Sequence, residues 1–150
     1  AFESLSNIIE YARSFGVEIL PQTMPPFPWH FGGQGYHRLF VDLDDIKNIQ
    51  KYCRVNFCMD VSHTWMSMAE LKLDFYSEIK KYSKYYNYFH IADALYPTEE
   101  GVQIGNGEID FRKISKLFKS NDSYYIPEVW NGHLDNNKGF IEALKKIELI

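Results

Sequence analysis

Apolar residues recur along this chain in two alternating rhythms. Phe2, Leu5, Ile8, Ile9, Ala12 and Phe15 follow the three-and-four spacing of one helix face, and Gly16 stands where a C′ glycine closes such a helix. Val17 to Pro21 then reads as a strand. A Pro- and Gly-rich connection, Gln22 to His37, cannot hold regular structure, and its Phe27, Trp29 and Phe31 argue for order rather than disorder. Asp42, with Asp45 three residues on, caps a predicted helix through Ile46, Ile49 and Cys53. Val55 to Val61 is the second strand, after which Met68, Leu71, Phe75, Ile79 and Tyr82 mark one helix of about four turns. Tyr86 to Ala92 is the third strand. A loop leads from it to Asp110, the cap of a helix bearing Ile114, Leu117 and Phe118. Tyr124 to Trp130 is the fourth strand, and Phe140, Ile141, Leu144 and Ile147 define the last helix.

Strand followed by helix, repeated with no hairpin signal between strands, predicts parallel βα units with right-handed crossovers. The expected fold class is α/β, in a single domain over residues 1–150 with no linker or low-complexity tract.

Composition narrows the function. Hydrophobic residues make up 45% of the 150 positions and charged residues 24%, the profile of a folded domain rather than a disordered or collagen-like chain. With 16 Lys plus Arg against 20 Asp plus Glu, the net charge of −4 offers no global field for a phosphate backbone, so nucleic acid is not an expected partner. The basic and aromatic run Lys80 to Tyr86 straddles a helix end, where cations complement the dipole. No apolar stretch approaches the roughly 20 residues of a membrane span, and no signal segment opens the chain, so the expected setting is the cytoplasm. Cys53 and Cys58 are read there as reduced, packed thiols.

The chemistry collects at the strand ends. In parallel α/β sheets ligands bind at the carboxyl ends of the strands, where the loops share one mouth. The four predicted strands finish in Gln22, in Asp60 and His63, in His90 and Asp93, and in Glu128. Each residue has a bland role available: Asp60 as a turn cap, His90 as a satisfied core histidine. Glu128 is harder to place that way, because Tyr124-Tyr-Ile-Pro-Glu-Val-Trp surrounds a carboxylate with apolar bulk, and a buried charge requires a partner. Together the four positions point to a divalent-metal or polyol site.

Four segments carry a family resemblance: Cys58-Met-Asp-Val-Ser-His63, Phe89-His-Ile-Ala-Asp93, Gln103-Ile-Gly-Asn-Gly-Glu-Ile-Asp-Phe111 and Tyr125-Ile-Pro-Glu-Val-Trp-Asn-Gly-His133. In that order and at that spacing the chain resembles the xylose isomerase-like TIM barrels, which include sugar and sugar-phosphate isomerases and epimerases and endonuclease IV. The resemblance covers essentially the whole chain and matches the last four βα units of the barrel, strands five to eight. It implies a partial barrel, completed either by a missing N-terminal half or by a second copy in a homodimer. It also implies a divalent ion (Mn, Mg, Co or Zn) held by Gln22, Asp60, His90 and Glu128, and a small sugar or sugar phosphate as substrate. Glu128 would be the base that moves a proton next to a carbonyl, assisted by His63. Substrate contacts would come from His63, Asp93, His133 and Trp29, with Phe31 and Lys138 nearby.

This chain departs from the family pattern at Gln22, where the family places a Glu. An amide keeps a ligating oxygen but loses the charge and cannot act as a base. Chemistry that needs a second glutamate is weakened by this change, and a non-catalytic sugar-binding domain is the alternative function. The endonuclease branch carries an Asp-x-His where this chain has Glu99 and Gly101, which argues against phosphodiester cleavage.

Overall fold

The computed structural model describes residues 1–27, 35–37, 39–118 and 123–149. Its centre is a parallel sheet of three strands in the order β1-β2-β5: β1 is Phe57–Asp60, β2 is Tyr86–Ile91 and β5 is Tyr124–Pro127. Cys58 pairs with Tyr88 and Asp60 with His90, while His90 pairs with Ile126 across the other edge of β2. The sheet is the α/β core expected from the sequence.

The first predicted strand is reduced to a single bridge. Val17 to Leu20 form no ladder, and only Gln22 pairs, in parallel, with Cys58. Pro21 explains the shortfall on one side, since it has no N–H to donate, yet its carbonyl still accepts from Cys58 N at 3.0 Å. Thr23 N then donates to Cys58 O at 3.1 Å, so Gln22 is fastened beside β1 even without a strand.

Helices cover the sheet. Helix α1 spans Phe2–Arg13, and Gly16 closes it with φ +74°, as its position predicted. Helix α2, Asp44–Ile49, is shorter than expected; Asp42 Oδ1 still accepts from Asp44 N at 2.9 Å, while Asp45 turns back to Phe40 N. The single long helix predicted after β1 is two helices, α3 at Val61–Leu71 and α4 at Phe75–Tyr82. Lys72 adopts a left-handed conformation at the break, and Asp74 starts α4 by accepting from Ser77 N at 2.8 Å. The core lies between these helices and the sheet, built on Phe57, Met59, Phe89, Ile46, Met66 and Ile79. Cys53 and Cys58 are free and buried, Cys53 within this core.

Two further corrections concern the loops. The connection after β2 is an antiparallel hairpin of β3, Asp93–Leu95, and β4, Glu99–Val102, where the sequence predicted only a loop. Asp110 does cap, accepting from Arg112 N, but the element it opens is a 3-10 turn, Phe111–Lys113, before the short α5 at Ser115–Phe118. Helix α6, Leu134–Glu148, opens with left-handed Asp135, Asn136 and Asn137 and is regular only beyond them. Tyr124, Tyr125 and Ile126 keep substantial exposure along β5, an edge of the sheet. Among the described residues no helix is long and apolar enough to cross a membrane.

Candidate functional site

The register places the chemistry in one row. Asp60 and His90 are direct partners at the ends of β1 and β2, and Glu128 N donates to Ile91 O at 3.0 Å, which sets Glu128 one step past β5. Gln22, bridged beside β1, stands on the opposite flank. Each strand end is therefore aligned by backbone pairing before any side-chain interaction is made.

Asp60 is 2% exposed and divides its two oxygens. Oδ1 caps α3, accepting from His63 N at 2.9 Å and Ser62 Oγ at 3.0 Å. Oδ2 faces the site, with Gln22 Nε2 at 3.0 Å, His63 Nδ1 at 3.3 Å and His90 Nδ1 at 3.8 Å. Asp60, His90 and Glu128 each offer a ligating atom, and the three atoms lie within 4.8 Å of one another. His90 Nδ1 is buried and lacks a partner of hydrogen-bond geometry, although Glu128 Oε2 is only 2.7 Å away. The ring nitrogen and the carboxylate form a close ion pair, and the same two groups are suited to share a cation in place of the proton between them. The donor set of one imidazole and two carboxylates suits a divalent ion of the borderline or hard kind.

The electrostatics follow from that convergence. Burial pushes the Asp60 carboxyl above its ordinary range, with the His63 ring opposing. The Cys58 side chain and then the Glu128 carboxylate raise the His90 imidazole to about 10. His90 in turn holds the Glu128 carboxyl below its usual value. The cluster thus retains a proton between His90 and Glu128.

The remaining predicted residues fall into three groups. His63 is at the site, but both ring nitrogens face protein: Nδ1 toward Asp60 and Thr23 O at 3.2 Å, and Nε2 toward Glu100 Oε2 at 3.5 Å. Asp93 is fully buried and accepts from the backbone N–H groups of Ala94, Gly105, Gly107 and Ile109 at 2.9–3.1 Å. His133 is exposed at the start of α6, as is Lys138, and neither joins the cluster. Trp29 and Phe31 lie outside the described residues.

Sequence reasoning missed three supports. Thr23 Oγ1 accepts from Asp60 N at 2.9 Å and from Thr64 Oγ1 at 2.9 Å, and Thr64 Oγ1 also reaches Asp60 O at 2.6 Å. Their signal was adjacency, Thr23 to Gln22 and Thr64 to His63. Glu100, on β4, had none, because its contact with His63 is made across the fold.

The family model described as the xylose isomerase-like TIM barrel matches residues 1–149. The chain belongs to that family. A solved structure described as a D-tagatose 3-epimerase-like protein superposes with a TM-score of 0.65 at 19% identity, covering 99% of this chain and 54% of that one. The chain thus spans about half the length of that barrel, and the likeness supports the parallel α/β fold. No curated protein matches the sequence. Family membership accords with a row of polar side chains at the strand ends, since TIM barrels place their chemistry at that end of the strands.

Proposed function

We propose that this xylose isomerase-like chain is the ligand-bearing part of a divalent-metal-dependent sugar isomerase or epimerase that moves a proton next to a carbonyl. The observation that carries the reading is the convergence of one ligating atom each from Asp60, His90 and Glu128 within 4.8 Å at the strand ends. Asp60, His90 and Glu128 would hold the ion, with the Gln22 amide beside them. The chemistry supplied by such an ion is Lewis-acid polarisation of a sugar carbonyl and its neighbouring hydroxyl.

The chain's own groups divide the remaining work. Asp60 is buried and committed to α3, so it anchors and does not move protons. Glu128 has a side chain 54% exposed and is the carboxylate that can reach a substrate C–H or O–H. His63, pinned between Asp60 and Glu100, closes the floor of the site. Gln22 cannot take or give a proton, so the cluster has one mobile carboxylate and favours transfer on one face of a carbon over inversion between two faces. A sugar or sugar phosphate of small size is the corresponding substrate class.

Gln22 also favours a second reading, sugar binding without turnover. Elemental analysis of the purified chain beside an Asp60→Ala, Glu128→Ala double variant separates the cases when combined with NMR of D-tagatose and D-fructose in D2O. Near-stoichiometric manganese, zinc or a similar ion, absent from the variant, together with deuterium entering next to the carbonyl, supports the enzyme. Metal without exchange supports the binding reading. A chain that takes up no ion after loading with excess metal overturns the site.

A further inference from the structure

The sheet has two open flanks, and both are apolar. On the Gln22 side, residues 17–20 run toward the bridge with β1 without a ladder of their own. Helix α1 borders them, and Arg13 Nη2 ties it to the approach to β1 by donating to Arg54 O at 2.7 Å. Ile9 is buried, but Ile8, Tyr11 and Phe15 form a second row at helical spacing, with Tyr11 70% and Phe15 69% exposed. Val17, also exposed, continues that row to the sheet edge. On the far side β5 pairs only with β2 among the described residues, and Tyr124, Tyr125 and Ile126 are exposed along it. Helix α6, beside β5, is built like α1: Ala143 and Ile147 are buried, while Ile141 and Leu144 stay exposed. Unpaired edges bordered by exposed apolar rows mark surfaces that another chain covers.

We propose that the two flanks are complementary and that a second copy of this chain covers them, so that two copies close one barrel. Three observations select that occupant. The strands are parallel, so a two-fold axis along the barrel sets residues 17–20 of one copy parallel to β5 of the other, and the same rotation makes the contact twice. Pro21 and Pro127 close both edges at the same end, which leaves the N–H groups before them to pair. Charge is matched as well. Glu3 and Glu10 stand seven residues apart on α1, as do Lys138 and Lys145 on α6, where they bracket Ile141 along a groove of about 430 Å³. Length also agrees, because the chain spans 54% of the solved structure it superposes on and two copies supply about one barrel. Residues 17–20 then gain the neighbouring strand they lack, and the ligand clusters of both copies open into one mouth. The inference stands apart from the metal reading and does not require it.

Sedimentation equilibrium of the purified chain tests this, and twice the chain mass is expected. Phe15→Lys on one flank and Ile141→Glu on the other each place an unpaired charge in both contacts of a like pair, so each alone should weaken association at least about tenfold. Mixing the two variants should restore dimer, since one contact is then unsubstituted and the other sets opposite charges together. Hydrogen exchange at residues 17–20 should be at least about tenfold slower in the dimer than in either variant alone. Tyr11→Lys with Leu144→Glu is the second pair, and melting curves confirm that each variant is folded. A monomer, a complex with a different polypeptide only, or a dimer that survives either substitution in both pairs overturns the proposal. So does a dimer lost through one flank alone, the mark of like flanks meeting, or a mixture that shows no association.

Discussion

Asp93 offers the sharpest separation between a ligand and a scaffold role. Its side chain is fully buried, with Oδ1 accepting from Ala94 and Ile109 and Oδ2 from Gly105 and Gly107. A hydrogen bond to a charged acceptor contributes about 1.5–3 kcal/mol, and a buried N–H left unpaired costs about 1–3 kcal/mol. Asp93→Ala orphans four donors at once. Allowing for non-additivity and for water reaching some of them, the loss should be at least about 4 kcal/mol, a large share of the roughly 5–15 kcal/mol that holds a domain. For a chain of this size that corresponds to a fall in Tm of roughly 8–16 °C. Asp93→Asn should recover little, because its NH2 group would meet two backbone donors where an oxygen now stands. Urea and thermal melts measure the global loss, and hydrogen exchange at Gly105, Gly107 and Ile109 shows whether the hairpin opens first. A loss under about 1 kcal/mol with those amides still protected would refute the scaffold assignment and return Asp93 to the substrate contacts.

Other measurements bear on the cluster and its rim. Because His90 is raised to about 10, a bound ion must displace its proton at neutral pH, so manganese affinity should climb about tenfold per pH unit between about pH 6 and 8. A flat profile by calorimetry would mean that ion binding displaces no proton from His90. Gln22→Glu replaces an amide that donates to Asp60 at 3.0 Å with a like charge, so the metal-free variant should be less stable by about 1 kcal/mol or more while metal affinity rises at least tenfold. Unchanged affinity would place Gln22 outside the ligand set. Gly101→Ala combines a clash with Trp130 and an unfavourable positive φ, and should lose about 2 kcal/mol of stability in a denaturant melt; a neutral outcome would show that the indole is free to leave the hairpin.

The features readable from the chain alone were those that local chemistry marks by itself. Apolar runs ending in Asp60, His90 and Glu128 announced both the parallel strands and the row of polar side chains at their ends. Gly16 announced its own turn. The failures occurred where a distant partner decides the outcome. Val17 to Pro21 has strand composition, yet a ladder needs neighbours, and only Gln22 finds one. The break at Lys72 is made by a residue with no preference for the left-handed conformation, so the apolar spacing ran through it unmarked. The hairpin depends on Asp93 collecting amides up to sixteen residues away, a contact with no periodic signature. Glu100 reached the site the same way.

Asp60 shows why a bland and a functional reading of one residue need not compete. The sequence admitted either a turn cap or a metal ligand, and the carboxylate has one oxygen for the cap and the other facing the site. Oδ1 is fixed by the first turn of α3 through His63 N and Ser62 Oγ, and this determines where Oδ2 points. Thr23, beside Gln22, and Thr64, on α3, hold the backbone of the same residue. The side chain is thereby oriented by α3, and the main chain by α3 and the Gln22 segment together. Pre-organisation of this kind offsets part of the unfavourable burial of a carboxylate that is only 2% exposed. Glu128, by contrast, is held chiefly by His90 and stays half open to solvent. The two carboxylates are therefore distinguished by their local structure, and in the proposed reaction the more exposed one carries the proton.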